Sequence, residues 1–168
     1  MTGDATAPGS TIRRATIDDA PAIRTLTRRA YAKWVPLIGR EQQPMGADYV
    51  AAVQRHRIDL LYADGVLAAL IEMIPQGGHL LVENVAVSPA FQRRGLGRKL
   101  LAHAEEVAAL LGHDEIRLYT NERFVGNVEL YRRLGYRIDR KEEFRGSPRV
   151  HMSKALGGGE TPICSRSP

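Results

Sequence analysis

Residues 79–97 read His-Leu-Leu-Val-Glu-Asn-Val-Ala-Val-Ser-Pro-Ala-Phe-Gln-Arg-Arg-Gly-Leu-Gly and pass directly into Arg98-Lys-Leu-Leu-Ala-His-Ala-Glu-Glu-Val-Ala-Ala-Leu-Leu111. His79 to Val87 is an apolar, valine-rich run bounded by Gly77-Gly78 and Ser88-Pro89. That is the pattern of a central strand, ended where proline cannot donate to the ladder. Leu96, Leu100, Leu101, Ala104, Val107, Ala108 and Leu111 then mark one face of a long helix, and Gly112 stands where its C-terminal cap belongs. Gly95 and Gly97, at the helix start, let backbone approach a ligand closely. Free N–H groups and the positive end of the helix dipole make such a start an anion site. Arg93, Arg94, Arg98 and Lys99 surround it, and arginine suits phosphate. The alternative is a tight turn with a solvated basic helix start.

The flanking elements follow from periodicity and turn chemistry. Ile12 to Ala15 reads as a short strand. Thr16 caps a helix with Asp18 and Asp19 in its first turn and Ile23, Leu26, Thr27 and Ala30 on its apolar face. Pro36, Gly39 and Pro44 break the chain before a second helix from Ala47 to His56. Leu60 to Ile74 forms two strands about Asp64-Gly65, a dipeptide suited to the positive φ angles of a tight hairpin. Ile116 to Thr120 is a strand, Asn127 to Leu134 a helix, and Tyr136 to Ile138 and Val150 to Lys154 are closing strands. The alternation predicts a mixed α/β three-layer domain over residues 12–156, with a flexible arm at 1–11 and a flexible tail at 157–168.

Composition narrows the classes. The 168 residues are 43% hydrophobic and 26% charged, ordinary for a soluble domain. No apolar run approaches the ~18 residues of a membrane helix, and the start shows no secretory pattern. The single cysteine, Cys164, cannot form an intrachain disulfide, which fits a cytoplasmic protein. The net charge of +5 is one-sided: residues 1–84 hold nine Lys/Arg and nine Asp/Glu, residues 85–168 fifteen and ten. A basic half calls for an anionic partner, whether nucleic acid, membrane surface or phosphorylated cofactor. No Walker loop occurs, and Leu100 stands where a dinucleotide fingerprint needs its third glycine.

Val85-Ala-Val-Ser-Pro89 with Gln92-Arg-Arg-Gly-Leu-Gly97 resembles the signature of the GNAT superfamily, the acyl-CoA N-acyltransferases. That signature is a strand ending in valine, then Gln/Arg-x-x-Gly-x-Gly/Ala. Asn127-Val-Glu-Leu-Tyr-Arg-Arg-Leu-Gly-Tyr136 resembles a second block of the same family, in the right order and spacing. The resemblance implies a single mixed, mostly antiparallel sheet flanked by helices, and acetyl-CoA as cofactor. It implies that the pyrophosphate lies on the amides of Arg93, Arg94, Gly95, Leu96, Gly97 and Arg98, with Gln92 also at the cofactor. The pantetheine arm would pair with Val85, Ala86 and Val87 where the next strand splays away at a bulge, the Val87 N–H facing the thioester oxygen. Asn127 would contact that arm, and Tyr131 would protonate the leaving thiolate. The other reading of Tyr131 is a core tyrosine with a satisfied hydroxyl.

Bases for an amine acceptor are few. Glu83, a carboxylate inside a central strand, is one candidate, and a structural pair with an arginine is its alternative reading. His79 and Glu72 are weaker candidates; His103 reads as a packed structural residue, and no cluster has metal-ligand spacing. Tyr31, Trp34, Met45, Asp48 and Tyr49 gather in the first helices and their connection. They predict a pocket for a small, partly apolar amine, with Asp48 attracting its charge and Asn84 and Tyr119 alongside; helix–helix packing is the competing reading, above all for Trp34. The expected activity is acetyl transfer from acetyl-CoA to a primary amine, by a monomer or homodimer without nucleic-acid or membrane partners. A non-catalytic acyl-CoA sensor and a protein or peptide N-acetyltransferase are the alternatives.

Overall fold

The computed structural model describes residues 9–157. Seven strands form one sheet: β1 (Ser10–Arg14), β2 (Arg57–Ala63), β3 (Val66–Pro75), β4 (Leu80–Val87), β5 (Glu115–Asn121), β6 (Arg137–Phe144) and β7 (Ser147–Ala155). Their order is β1-β2-β3-β4-β5-β7-β6. Only β4 and β5 pair in parallel, so the sheet is mixed and mostly antiparallel as expected. The helices are α1 (Ala20–Tyr31), α2 (Val35–Ile38), α3 (Tyr49–Arg55), α4 (Leu96–Leu110) and α5 (Val125–Arg133). No helix among the described residues is long and apolar enough to cross a membrane.

Besides shifts of two or three residues at β2, α3 and α5, two boundaries differ from the sequence reading in ways that matter. Ser10 and Thr11, expected in the arm, pair with Ala63 and Tyr62 in β1; residues 1–8 and 158–168, with Cys164, lie outside the described residues. The last hairpin is longer than expected, with β6 extending to Phe144 and β7 starting at Ser147. β6 lies at the sheet edge and alternates charges rather than apolar residues, so it carries little period-two hydrophobic signal. Its cations are matched locally: Arg137 with Asp139, Arg140 with Glu142 and Lys141 with Glu122. The basic group there is a set of surface pairs.

The sheet separates two apolar clusters. One holds Leu100, Leu101, Ala104, Val107 and Ala108 of α4 against Ile71, Met73, Leu80, Val82 and Ile116, with Tyr131 of α5 and Leu134 just after it packed on it. The other holds Ile23, Leu26 and Ala30 of α1 and Ala52 of α3 against Ile58, Leu60, Leu70 and Ala86. Burying a side chain of this size contributes about 1.5–3 kcal/mol.

A polar cluster sits beneath α4. Asp59 on β2 is 1% exposed, and its Oδ2 lies 2.6 Å from His103 Nε2 and 3.0 Å from Arg57 Nε. Burial works against the charged carboxylate, but His103 and Arg57 outweigh it and hold its pKa below the ordinary value. Asp59→Asn should therefore lower stability at neutral pH by about 1–3 kcal/mol. A carboxylate with a depressed folded pKa stabilises above the unfolded value. The difference from wild type should shrink as pH falls below the ordinary carboxylate range. Urea titrations at neutral and acidic pH check both statements; equal stability at pH 7 would refute the first.

The feature that shapes the rest of the molecule is a β-bulge. Glu72 pairs with Asn84 and Met73 with Val82, so Glu83 is an extra residue on β4. The bulge reverses the strand's parity. Leu80 and Val82 share the α4-side cluster with Val85 and Val87, and Ala86 belongs to the α1 side. A bulged strand also bends and twists more strongly. β4 pairs with β5 only through Leu80–Val82 and Ile116–Leu118, and no pairing continues beyond them.

Candidate active site

The divergence of β4 and β5 opens the sheet onto a cavity of about 710 Å3. The Ser88 N–H donates to Ala68 O at 2.8 Å, which fixes the alternation: Asn84, Ala86 and Ser88 turn their backbone groups to β3, Val85 and Val87 to the gap. The Val87 carbonyl there accepts from Gln92 Nε2 at 3.3 Å, and Gln92 Oε1 accepts from Lys33 at 3.2 Å. The Val85 backbone groups and the Val87 N–H thus border open space, with the Val87 carbonyl held by Gln92, the arrangement an extended ligand needs to add as a further strand.

The glycine turn closes one end. A 3-10 turn at Pro89–Phe91 leads to Arg93 at φ 64° and Gly95 at φ 76°, both left-handed. Glycine takes that conformation without strain; for Arg93 it is costly, and sequence reading did not anticipate it. The first amides of α4, from Leu96 onward, have no partner within the helix. A Cβ added at Gly97 would stand 3.9 Å from Val87 Cγ2, an ordinary contact. Gln92, Arg93, Gly95, Leu96, Gly97 and Arg98 line the cavity. Two of the four expected cations do not. The Arg94 guanidinium lies over the Phe91 ring at 5.1 Å, and Lys99 reaches Ser10.

Asn127 and Tyr131, one turn apart on α5, both line the cavity. The Tyr131 ring meets Tyr136 edge-on at 5.9 Å, and its hydroxyl makes no hydrogen bond among the described residues. Burial pushes the Tyr131 pKa up to about 12. The phenol therefore keeps its proton at neutral pH and is available as a donor.

Glu83, displaced by the bulge, faces the same space. Its Oε1 accepts from the Tyr119 hydroxyl at 2.6 Å, so its partner is a tyrosine and not the arginine its structural reading called for. Burial, then the hydrogen bond to Glu83, raises the Tyr119 pKa well above the ordinary phenol value. Asn84 also lines the cavity; its Oδ1 accepts from the Tyr31 hydroxyl at 2.8 Å, while its buried Nδ2 has no partner among the described residues. Trp34 stacks on Phe124 at 4.1 Å, walling the cavity from the α1 end rather than packing helix on helix.

Other expected residues are elsewhere. Asp48 is the N-cap of α3, its Oδ1 accepting the Ala51 N–H at 3.1 Å, and it does not line the cavity. Tyr49 is buried among α1 and α3, its hydroxyl donating to Pro44 O at 2.6 Å. Met45 is buried beside it and likewise does not line the cavity. Glu72, weighed as a surface or edge residue, is 5% exposed and bound to His56 Nδ1 at 2.6 Å; burial outweighs that contact and raises its pKa. Neither Glu72 nor His79 lines the cavity. Among the described residues, no group of three His, Cys, Asp or Glu could hold a metal ion.

Sequence reading missed Arg40, Phe124, Phe144, Ser147 and Arg149, all on the cavity wall. Arg40 donates to Phe144 O at 3.2 Å, and the Arg149 guanidinium lies over the rings of Phe144 at 3.5 Å and Tyr119 at 4.3 Å. These contacts tie the segment after α1 to the β6–β7 hairpin across more than a hundred residues of chain. An arginine between Pro148 and Val150, within β7, was the only local signal.

Residues 21–136 match the acetyltransferase (GNAT) family. The chain is 36% identical over 125 residues to a mycothiol acetyltransferase of Clavibacter sepedonicus, covering 73% of this chain and 41% of that protein. It thus spans about two fifths of the length of that curated relative. The PaiA N-acetyltransferase of Thermoplasma acidophilum, solved in complex with coenzyme A, superposes with a TM-score of 0.75 at 20% identity, covering 88% of this chain and 99% of that one. The ribosomal-protein-S18-alanine N-acetyltransferase of Escherichia coli gives 0.70 at 22%, covering 90% and 97%. At such identities the likeness of the structures is one of fold.

Proposed function

Since the chain belongs to the GNAT family of acetyltransferases, we propose that it transfers an acetyl group from acetyl-CoA to the primary amine of a small molecule, by direct attack on the thioester. The observation that carries this reading is the gap between β4 and β5. It leaves the Val85 and Val87 backbone open between an anion-binding helix start and a carboxylate–tyrosine pair. These residues fit acetyl-CoA: a strand edge for the pantetheine arm, and the amides of Gly95 to Arg98 with Arg93 and Arg98 for the pyrophosphate. Bound there, acetyl-CoA supplies the activated acetyl group.

The chain's own groups divide the remaining work. The Val87 N–H, pointing into the gap, donates to the carbonyl oxygen as charge develops on it. Glu83 receives the proton the amine gives up, directly or through one water, and Tyr119 holds its carboxylate in place. Tyr131 gives its proton to the departing sulfur. One N–C bond forms, one C–S bond breaks, and the products are an acetamide and the free thiol. A thiol with a pKa of about 8.5 is a tolerable leaving group, so the help required from Tyr131 is modest.

Tyr131→Phe should reduce kcat by about 10²-fold while changing acetyl-CoA affinity by less than about twofold. With its pKa near 12, Tyr131 should impose no alkaline fall in rate below about pH 10. Steady-state rates from pH 6 to 10 and calorimetry test both; an unchanged kcat removes Tyr131 from the mechanism.

The decisive experiment is acetyl-CoA-dependent thiol release over a panel of small amines, amino acids and peptides. Amine-dependent release supports transfer to a small molecule. Release with peptides alone favours a protein acceptor, as the name of the Escherichia coli ribosomal-protein-S18-alanine N-acetyltransferase describes for that neighbour. Tight acetyl-CoA binding with no release on any amine would make the protein a non-catalytic acyl-CoA sensor.

A further inference from the structure

The cavity is electrically lopsided. Its charged lining is Lys33, Arg40, Arg93, Arg98 and Arg149 against a single carboxylate, Glu83. Arg93 and Arg98 stand at the glycine turn, and Lys33 is held there by Gln92. They are accounted for by the pyrophosphate. Arg40 and Arg149 are not: both gather around Phe144, on the hairpin at the acceptor end.

Arg40 is half-buried, and the one side-chain hydrogen bond it makes among the described residues goes to the Phe144 carbonyl; no carboxylate of those residues lies within 4.0 Å of it. Arg149 donates to Gln43 Oε1 at 3.3 Å and comes no nearer than 3.8 Å to Glu142. Glu142 is already bound to His151 at 2.7 Å and Arg140 at 3.1 Å. Two guanidinium groups are therefore partly withdrawn from water without a full counter-charge, which is costly unless an anion completes the site. Both are held in place beforehand, Arg149 by its stacking on Phe144 and Tyr119. The same Tyr119 ring carries the hydroxyl that binds Glu83, so Arg149 lies one ring from the candidate base.

We propose that the acceptor is an amino acid, with its carboxylate received by Arg40 and Arg149 while its amine faces Glu83. The inference rests on the acetyl-transfer reading and adds the acceptor's class. A purely cationic amine would meet two guanidinium groups and one carboxylate already bonded to Tyr119. An amine joined to a carboxylate brings the missing negative charge, and a planar guanidinium binds a carboxylate through two parallel hydrogen bonds. The aromatic wall of Trp34 and Phe124 leaves an apolar surface for the side chain.

The test compares each standard amino acid with its amide, which keeps the amine and removes the charge. Acetyl-CoA binding to the full chain is first measured by calorimetry. Acids should exceed their amides in kcat/KM by about tenfold or more, and Arg40→Gln and Arg149→Gln should each collapse that ratio through KM. Arg40→Gln breaks a single hydrogen bond to a backbone carbonyl, so it serves if Arg149→Gln loosens the hairpin. Titration of the CoA-loaded protein with N-acetyl amino acids and N-acetyl amino amides gives a readout free of turnover, with the same order expected. Amides equal to or better than acids in both measurements overturn the proposal. So does acetyl-CoA binding with no amino acid bound or acetylated, and in that case the acetyl-CoA reading survives. Absence of acetyl-CoA binding overturns the reading itself.

Discussion

Glu83→Gln is expected to lower kcat by about 10²- to 10⁴-fold, the range of a positioned general base, with acetyl-CoA affinity unchanged within about twofold. The bulge makes Glu83 the extra residue of β4, and its Oε1 is taken by Tyr119, leaving Oε2 for the amine or a bridging water. Glutamine keeps the shape and still accepts from Tyr119 through its amide oxygen, so the fold and the cofactor end should be undisturbed. What it loses is the capacity to take a proton. Steady-state rates at saturating amine, with calorimetric acetyl-CoA affinities, separate the two effects. Full activity in the glutamine variant would place the base elsewhere, in a water chain or in the acceptor itself.

Gly97→Val is expected to weaken acetyl-CoA binding by about a hundredfold or more, while Gly97→Ala stays near wild type. The difference follows from the space beside α4. A Cβ at Gly97 meets only Val87 Cγ2 at 3.9 Å, so alanine fits within the protein. Valine adds two further carbons at the helix start, where the ligand must approach the backbone amides and where the Val87 side chain already stands. A phosphate held away from those amides loses hydrogen bonds that cost nothing to preorganise. Calorimetry on both variants, with melting temperatures to confirm folding, gives the comparison. Unchanged affinity in folded Gly97→Val would remove the glycine turn from the phosphate site.

Much of this site was legible from residue types and spacing. The apolar run into Gln92–Gly97 announced strand, turn and helix. Asn127 and Tyr131, four residues apart, had to share a helix face wherever that helix packed. Asp48 shows where such reading misleads. An aspartate amid aromatics reads as a counter-ion for an amine, but one before a helix reads equally well as an N-cap, and the backbone amide of Ala51 claims it. The cavity wall on β6 and β7 was missed for the opposite reason. β6 is an edge strand of alternating charges that buries little, so its hydrophobic pattern is nearly silent, and Phe144 on it and Arg149 on the neighbouring β7 gain meaning only from what they touch.

The sequence by itself determined the elements, the glycine turn and the basic helix start, because each depends on neighbours within a few residues. The resemblance implied a bulge, and the tertiary structure alone placed it at Glu83, whose extra residue reverses the faces of β4 and leaves no mark in its run of letters. It fixed where β5 leaves β4, after Val82, since strand divergence is a property of pairs. It also brought Glu83 to Tyr119 across 36 residues and Arg40 to Phe144 across 104. Periodicity carries local preference, and a site assembled from distant strands is a consequence of how they pack.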